Sequence, residues 1–264
     1  MRLSSDQALS LEQAERPAAI RAAGLGVLLG GVPIVRGVDL EIGQGEAVAI
    51  LGNNGSGKTT LMRALLGLVP HTGEVELFGT PLREFHSRSQ LGYVPQRSGI
   101  LVQQATAREV VASGRLGHRR PFWPESAADK QVIADSLDAV GLAGRARHRF
   151  VRLSGGQQQR VLIARALASE ARLMMWDEPL AGVDHVTQNL LAGVARKLVA
   201  QGITVVMVLH ELGPFADVLD RVIFIQDGRV VPHVHDASHH HGGHEISELA
   251  ASRPRPHQTG LEAL

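Results

Sequence analysis

Residues 52–59 read Gly-Asn-Asn-Gly-Ser-Gly-Lys-Thr, the spacing GxxxxGK[ST] of a loop built to hold phosphate. Glycines at Gly52, Gly55 and Gly57 let the backbone curl, so that the N–H groups of Asn53, Asn54 and Ser56 can face one anion. Lys58 opens a stretch with leucines at 61, 65 and 68, which predicts a helix whose positive end adds to the cradle. In such a loop Lys58 reaches the β- and γ-phosphates, the Thr59 hydroxyl ligates magnesium, and Thr60 completes the contact run. A glycine-rich turn with a chance lysine is the plainer alternative. Only Lys58, Lys130 and Lys197 are lysines, however, and this one stands between a predicted strand at 47–51 and a predicted helix.

Two further clusters could work with it. The apolar run at 173–176 ends in Asp177 and Glu178. A carboxylate at a strand end suits magnesium held through its water shell, and the second could take a proton from an attacking water. Acids after a buried strand are ordinary, and only their place downstream of a phosphate loop gives them weight. Leu153-Ser154-Gly155-Gly156-Gln157 precedes a predicted helix, and alone it reads as an N-cap and turn.

The elements that must position these groups follow an alternating plan. Strands are expected at 75–78, 91–94, 172–176, 203–209 and 221–225, and helices at 157–169 and around Val186, Leu190, Val194 and Leu198. Asp227-Gly228 marks a hairpin. Alternation of this kind predicts an α/β fold with a mainly parallel sheet flanked by helices. Residues 98–152 are Ala- and Arg-rich with helical spacing at Val132, Ile133, Leu137 and Val140, read as an inserted helical subdomain. Residues 1–19 are expected to form a mobile extension, 20–232 the main domain, and 233–264 a His-rich flexible tail.

Composition sets the outer limits. At 264 residues and 44% hydrophobic the chain supplies a full core. Net charge is +1, so nucleic acid is not an expected partner. With no cysteine, disulfides and thiolate metal sites are absent. No apolar run nears the ~20 residues that span a bilayer. The early acids Asp6, Glu12 and Glu15 do not fit a signal peptide, so a cytosolic chain is expected.

Phosphate loop, Leu153–Gln157 signature and Asp177-Glu178, in this order, resemble the ATP-binding subunit of ABC transporters over residues 22–231. Gln96 in Tyr93-Val94-Pro95-Gln96, Asp184 after Ala181-Gly182-Val183, and His210 extend the match. The resemblance implies a P-loop NTPase fold of the ABC-ATPase type, with an antiparallel β subdomain, that hydrolyses ATP with Mg2+. It implies a head-to-tail pair of identical chains in which Ser154, Gly155, Gly156 and Gln157 of one complete the nucleotide site of the other. Glu178 is then the general base, His210 a γ-phosphate sensor, Gln96 a magnesium and water contact, and Asp184 a residue of the dimer seam. Leu29 stands where the family usually stacks an aromatic ring on adenine, so apolar contact is expected instead.

The implied partners are a membrane permease, placing the chain on the cytoplasmic face of the membrane, and through it an extracytoplasmic solute-binding protein. Residues 177–184, and Val111-Ala112-Ser113-Gly114-Arg115 through His118, are similar to the branch that imports zinc and manganese. Siderophore-iron or cobalamin import keeps the same enzyme with another cargo. A soluble ABC protein of translation or repair is a third alternative, but it needs a second ATPase domain or long coiled coils. Six of the thirteen histidines, His233, His235, His239, His240, His241 and His244, crowd the tail. Imidazoles suit Zn2+, and a solvated tail with incidental affinity is the alternative.

Overall fold

The computed structural model describes residues 17–96, 104–119 and 123–231. Strand β1 (Ala18–Leu29) turns at Gly30-Gly31 into β2 (Val32–Gly43), and the two pair antiparallel with Leu29 opposite Val32. Strand β3 (Ala47–Leu51) leaves for a second sheet, while β4 (Thr72–Leu77) and β5 (Thr80–Pro81) return, giving the order β2-β1-β4-β5. The second sheet adds β6 (Leu91–Val94), β7 (Leu173–Asp177), β8 (Thr204–Val208), β9 (Arg221–Gln226) and β10 (Arg229–Val231). Its order is β10-β9-β3-β8-β7-β6, parallel except for the hairpin strand β10.

Helix α1 (Lys58–Leu65) lies between the two sheets, and Leu61, Met62 and Leu65 on it are fully buried. Each such side chain contributes about 1.5–3 kcal/mol of burial. Truncating Leu61 to alanine would cost about 2–5 kcal/mol, because neighbours in both sheets hold the cavity open. On the far face stand α2 (Ala107–Ala112), α3 (Ala127–Ala139), α4 (Gly155–Ala168) and α5 (His185–Ala200). Helices α2 and α3 fall within the span read as a helical subdomain, and each opens with a capping box, Thr106–Glu109 and Ser126–Asp129.

Strands β3, β7 and β8 are buried along their whole length, as a sheet covered on both faces requires. Their alternation splits the core in two. Val48, Ile50, Met175 and Val206 face α1 and the antiparallel sheet. Ala49, Met174, Trp176 and Met207 face the helices of the other side. Trp176 sits edge-on against Phe215, with ring centroids 6.2 Å apart.

Two sequence expectations shift. Strand β1 begins at Ala18, and Ala19 is already buried. The buried stripe of α5 runs through Thr187, Leu191, Val194, Ala195 and Leu198, leaving Val186 80% exposed. Asp184 caps that helix and starts it at His185, which turns Val186 off the stripe. Among the described residues no helix is long and apolar enough to cross a membrane. The tail histidines 233–244 lie outside the described residues.

Candidate active site

The loop 52–57 joins the C-terminal end of β3 to α1, the place where a parallel sheet offers a crevice. Gly57 ends it in a left-handed conformation (φ 100°), and an added Cβ would stand 2.9 Å from the Ile34 carbonyl oxygen of β2. Glycine is therefore required there. The hairpin between β9 and β10 braces the loop from behind, with the Gly228 N–H donating to the Ser56 carbonyl at 3.0 Å. Lys58 is buried, and its ammonium donates to the carbonyls of Gly52 (2.8 Å) and Asn53 (3.0 Å). That geometry uses two of its three donors. The Ser56 hydroxyl is buried with no partner, an orphan that a phosphate oxygen would satisfy. Asn53, Asn54 and Gly55 are exposed at the loop's lip.

Strand β7 delivers its two acids to different tasks. Asp177 is fully buried, and its Oδ1 accepts from the Thr59 hydroxyl at 2.7 Å. Burial pushes its carboxyl above the ordinary aspartate value, a rise that the Thr59 hydrogen bond opposes. The Thr59 hydroxyl and Asp177 carboxylate oxygens are the hard donors that magnesium takes, so these residues fit that ion. Glu178 then leaves the strand with φ 50°, its N–H bonded to the Val208 carbonyl at 3.0 Å. This left-handed step costs about 1–2 kcal/mol for a non-glycine residue, and it re-aims the carboxylate. Glu178 Oε2 meets His210 Nε2 at 3.0 Å and also accepts from the Gln96 side-chain amide. Strands β6, β7 and β8 are neighbours, so Gln96, Glu178 and His210 converge from three adjacent strand ends.

The signature residues sit elsewhere in the chain. Ser154 caps α4 in a reciprocal box with Gln157, the Ser154 Oγ accepting from Gln157 N at 3.3 Å and Gln157 Oε1 from Ser154 N at 3.1 Å. Gly155 faces open space and Gly156 packs toward Val183. Among the described residues no hydrogen bond joins this turn to the phosphate loop. Asp184 accepts from Thr187 N at 2.8 Å, and that bond holds its carboxyl below the ordinary range. Leu29 is 44% exposed at the tip of β1. Among the described residues no cluster of three His, Cys, Asp or Glu side chains could hold a metal.

Tyr93 had no role assigned from the sequence. It is the chain's only tyrosine, and its hydroxyl lies 3.5 Å from the second oxygen of Asp177. Its place three residues before Gln96, on a strand predicted to end at the site, was the available signal.

The ABC transporter family matches residues 35–181. Phosphonates import ATP-binding protein PhnC 3 of Nostoc sp. is 39% identical over 213 residues, covering 76% of this chain and 80% of the relative. Manganese transport system ATP-binding protein MntB of Halalkalibacterium halodurans is 37% identical over 192 residues, 72% of this chain and 76% of the relative. Zinc transport system ATP-binding protein TroB of Treponema pallidum is 36% identical over 195 residues, 73% of each. The dimeric post-hydrolysis structure of the ATP-binding cassette MJ0796, bound to ADP and Pi, superposes with a TM-score of 0.74 at 28% identity, covering 83% of this chain and 98% of that one. With its phosphate loop, its paired acids and these matches together, the chain belongs to the ABC transporter family and is an ABC-type ATPase coupled to transport.

Proposed function

We propose that two copies pair head to tail and hydrolyse ATP in composite sites, driving an importer of divalent metal ions, zinc first and manganese second. The observation that carries the catalytic part is the convergence of Gln96 and His210 on Glu178, beside the Thr59–Asp177 bond. The backbone N–H groups of the loop from Gly52 to Thr60 and the third Lys58 donor hold the phosphates. Thr59, Asp177 and Gln96 would hold magnesium, which would supply positive charge to offset that of the phosphates. Glu178 Oε2 takes a proton from water as its oxygen bonds the γ-phosphorus and the bond to the bridging oxygen breaks, leaving ADP and phosphate. His210 orients that carboxylate and senses the γ-phosphate. Ser154 to Gln157 of the second copy cover the γ-phosphate with a helix N-terminus, and Asp184 stiffens the loop beside them. Leu29 gives adenine an apolar contact.

The metal reading is supported by the likeness to MntB and TroB and by residues 111–118 and 177–184. The permease holds the chain at the cytoplasmic membrane face and links it to a solute-binding protein. The tail histidines bind zinc on the same side. The likeness to PhnC 3 favours a phosphonate as the second reading. Vesicles holding the chain with its permease and binding protein decide between them. ATP-dependent zinc accumulation that Glu178→Gln abolishes is expected, and uptake of a phosphonate with no metal uptake would overturn the cargo assignment.

A further inference from the structure

The motif Ser113-Gly114-Arg115 to His118 has no part in the site described above, yet its side chains are tied to α3 and to the end of α4. It forms a 3-10 turn wedged against the C-terminal end of α4. Gly114 lies so close to that helix that an added Cβ would stand 2.1 Å from the Arg165 carbonyl oxygen. Arg115, next to it, is buried. Its Nε donates to Asp129 Oδ1 at 2.9 Å, and its Nη1 donates to the Ala168 carbonyl at 3.0 Å and to the Glu170 carboxylate. His118 Nε2 stands 2.7 Å from the Ser169 carbonyl oxygen.

Each partner marks a different element. Ala168 ends α4, and a cation on its carbonyl matches the negative end of the helix. Asp129 opens α3, where its other oxygen accepts from Ser126 Oγ at 2.7 Å. Glu170 stands just past α4 with φ 47°, its N–H bonded to the Leu167 carbonyl at 3.0 Å and its carboxylate paired with Arg115. The guanidinium therefore ties the first turn of α3, the turn 113–118 and the last turn of α4 into one block. Helix α4 has 14 residues, about 21 Å, and Ser154 caps its other end. A buried ion pair adds little net stability over an apolar replacement. What the planar fork supplies is direction.

We propose that Arg115 is a positioning residue for ATP hydrolysis: by locking the C-terminal end of α4 to α3, it sets where Ser154 meets the nucleotide of the partner chain. This rests on the composite-site reading above. Without the lock, α4 tilts independently of the helices around it, and the signature turn loses its aim while the phosphate loop keeps its own.

The test is ATP-driven dimerisation of the full chain carrying Glu178→Gln, followed by size-exclusion chromatography across an ATP titration. Arg115→Gln is expected to raise the ATP concentration for half-dimerisation about tenfold, and Arg115→Lys, which keeps charge without the fork, by less. ADP affinity, a property of one chain's phosphate loop, is expected to stay within about twofold. Equal weakening of both quantities, or unchanged dimerisation, would overturn the proposal. If Arg115→Gln does not fold, Glu170→Gln removes only the half-exposed arm and is expected to give about a threefold rise, with no rise counting against the proposal. Ser154→Ala in the same background keeps the two readings apart. If it leaves dimerisation unchanged, the composite site falls and this inference with it. If it weakens dimerisation and the Arg115 variants do not, only this inference falls.

Discussion

His210 Nε2 stands 3.0 Å from Glu178 Oε2, although the two residues follow different strands. The pairing of β7 with β8, Asp177 opposite Val208, brings the strand ends side by side. The left-handed step at Glu178 then turns its carboxylate toward the histidine.

Glu178→Gln keeps the shape and loses the carboxylate proposed as the base. Turnover should fall about 10²–10⁴-fold, while ATP affinity changes little. Phosphate release alongside a nucleotide titration checks both. His210→Ala should lower kcat, since the ring touches the Glu178 carboxylate.

Asp177 makes the opposite trade. Burial raises its carboxyl pKa, with the Thr59 hydroxyl opposing the rise. An acid raised in the folded chain lends stability that is fully present below its ordinary value of 3.8 and is lost as pH rises through the raised value. Near neutral pH the charged form is therefore a burden. Asp177→Asn should raise the melting temperature there and abolish turnover, with the thermal gain shrinking as pH falls. Melting curves of nucleotide-free protein across pH check the sign, and destabilisation at neutral pH would refute it.

Leu29, the residue proposed to meet adenine, is exposed at the tip of β1 and carries no ring. Leu29→Tyr should tighten ATP binding about three- to tenfold, the scale of one aromatic pair, and sharpen preference for ATP over GTP. Competitive titration with the two nucleotides reads both effects.

Much of this site was legible because its parts are contiguous in the chain. Residues 52–59 and 177–178 are each contiguous in the chain, and the Thr59–Asp177 bond shows that the fold brings the two stretches together. The parallel sheet followed from apolar runs alternating with helical spacing. What stayed hidden depends on pairs far apart in sequence. Arg115 meets Asp129 and Glu170 only once the helices pack, and nothing local marks it as buried. Val186 has the spacing of a core residue, but the cap at Asp184 sets the phase of its helix and turns it out. Trp176 finds Phe215 through β7 and the turn after His210, a contact no periodicity announces.

The tail histidines yield a separate prediction. Zinc titrated into the full chain should fill sites that a chain ending at Val231 lacks, and the shorter chain should keep its ATPase activity. Equal zinc stoichiometry for the two would remove the tail from the account.

The central claim is that each nucleotide lies between the phosphate loop of one copy and Ser154 to Gln157 of the other. The chain has no native cysteine, so introduced thiols report without interference. Asn54 is exposed, and a side chain at Gly155 would meet nothing within 4 Å. Asn54→Cys and Gly155→Cys, placed in separate chains that both carry Glu178→Gln, should be joined by a short bismaleimide only when mixed and only with ATP. Crosslinking within either chain population alone, or in the mixture without ATP, would contradict the head-to-tail composite site.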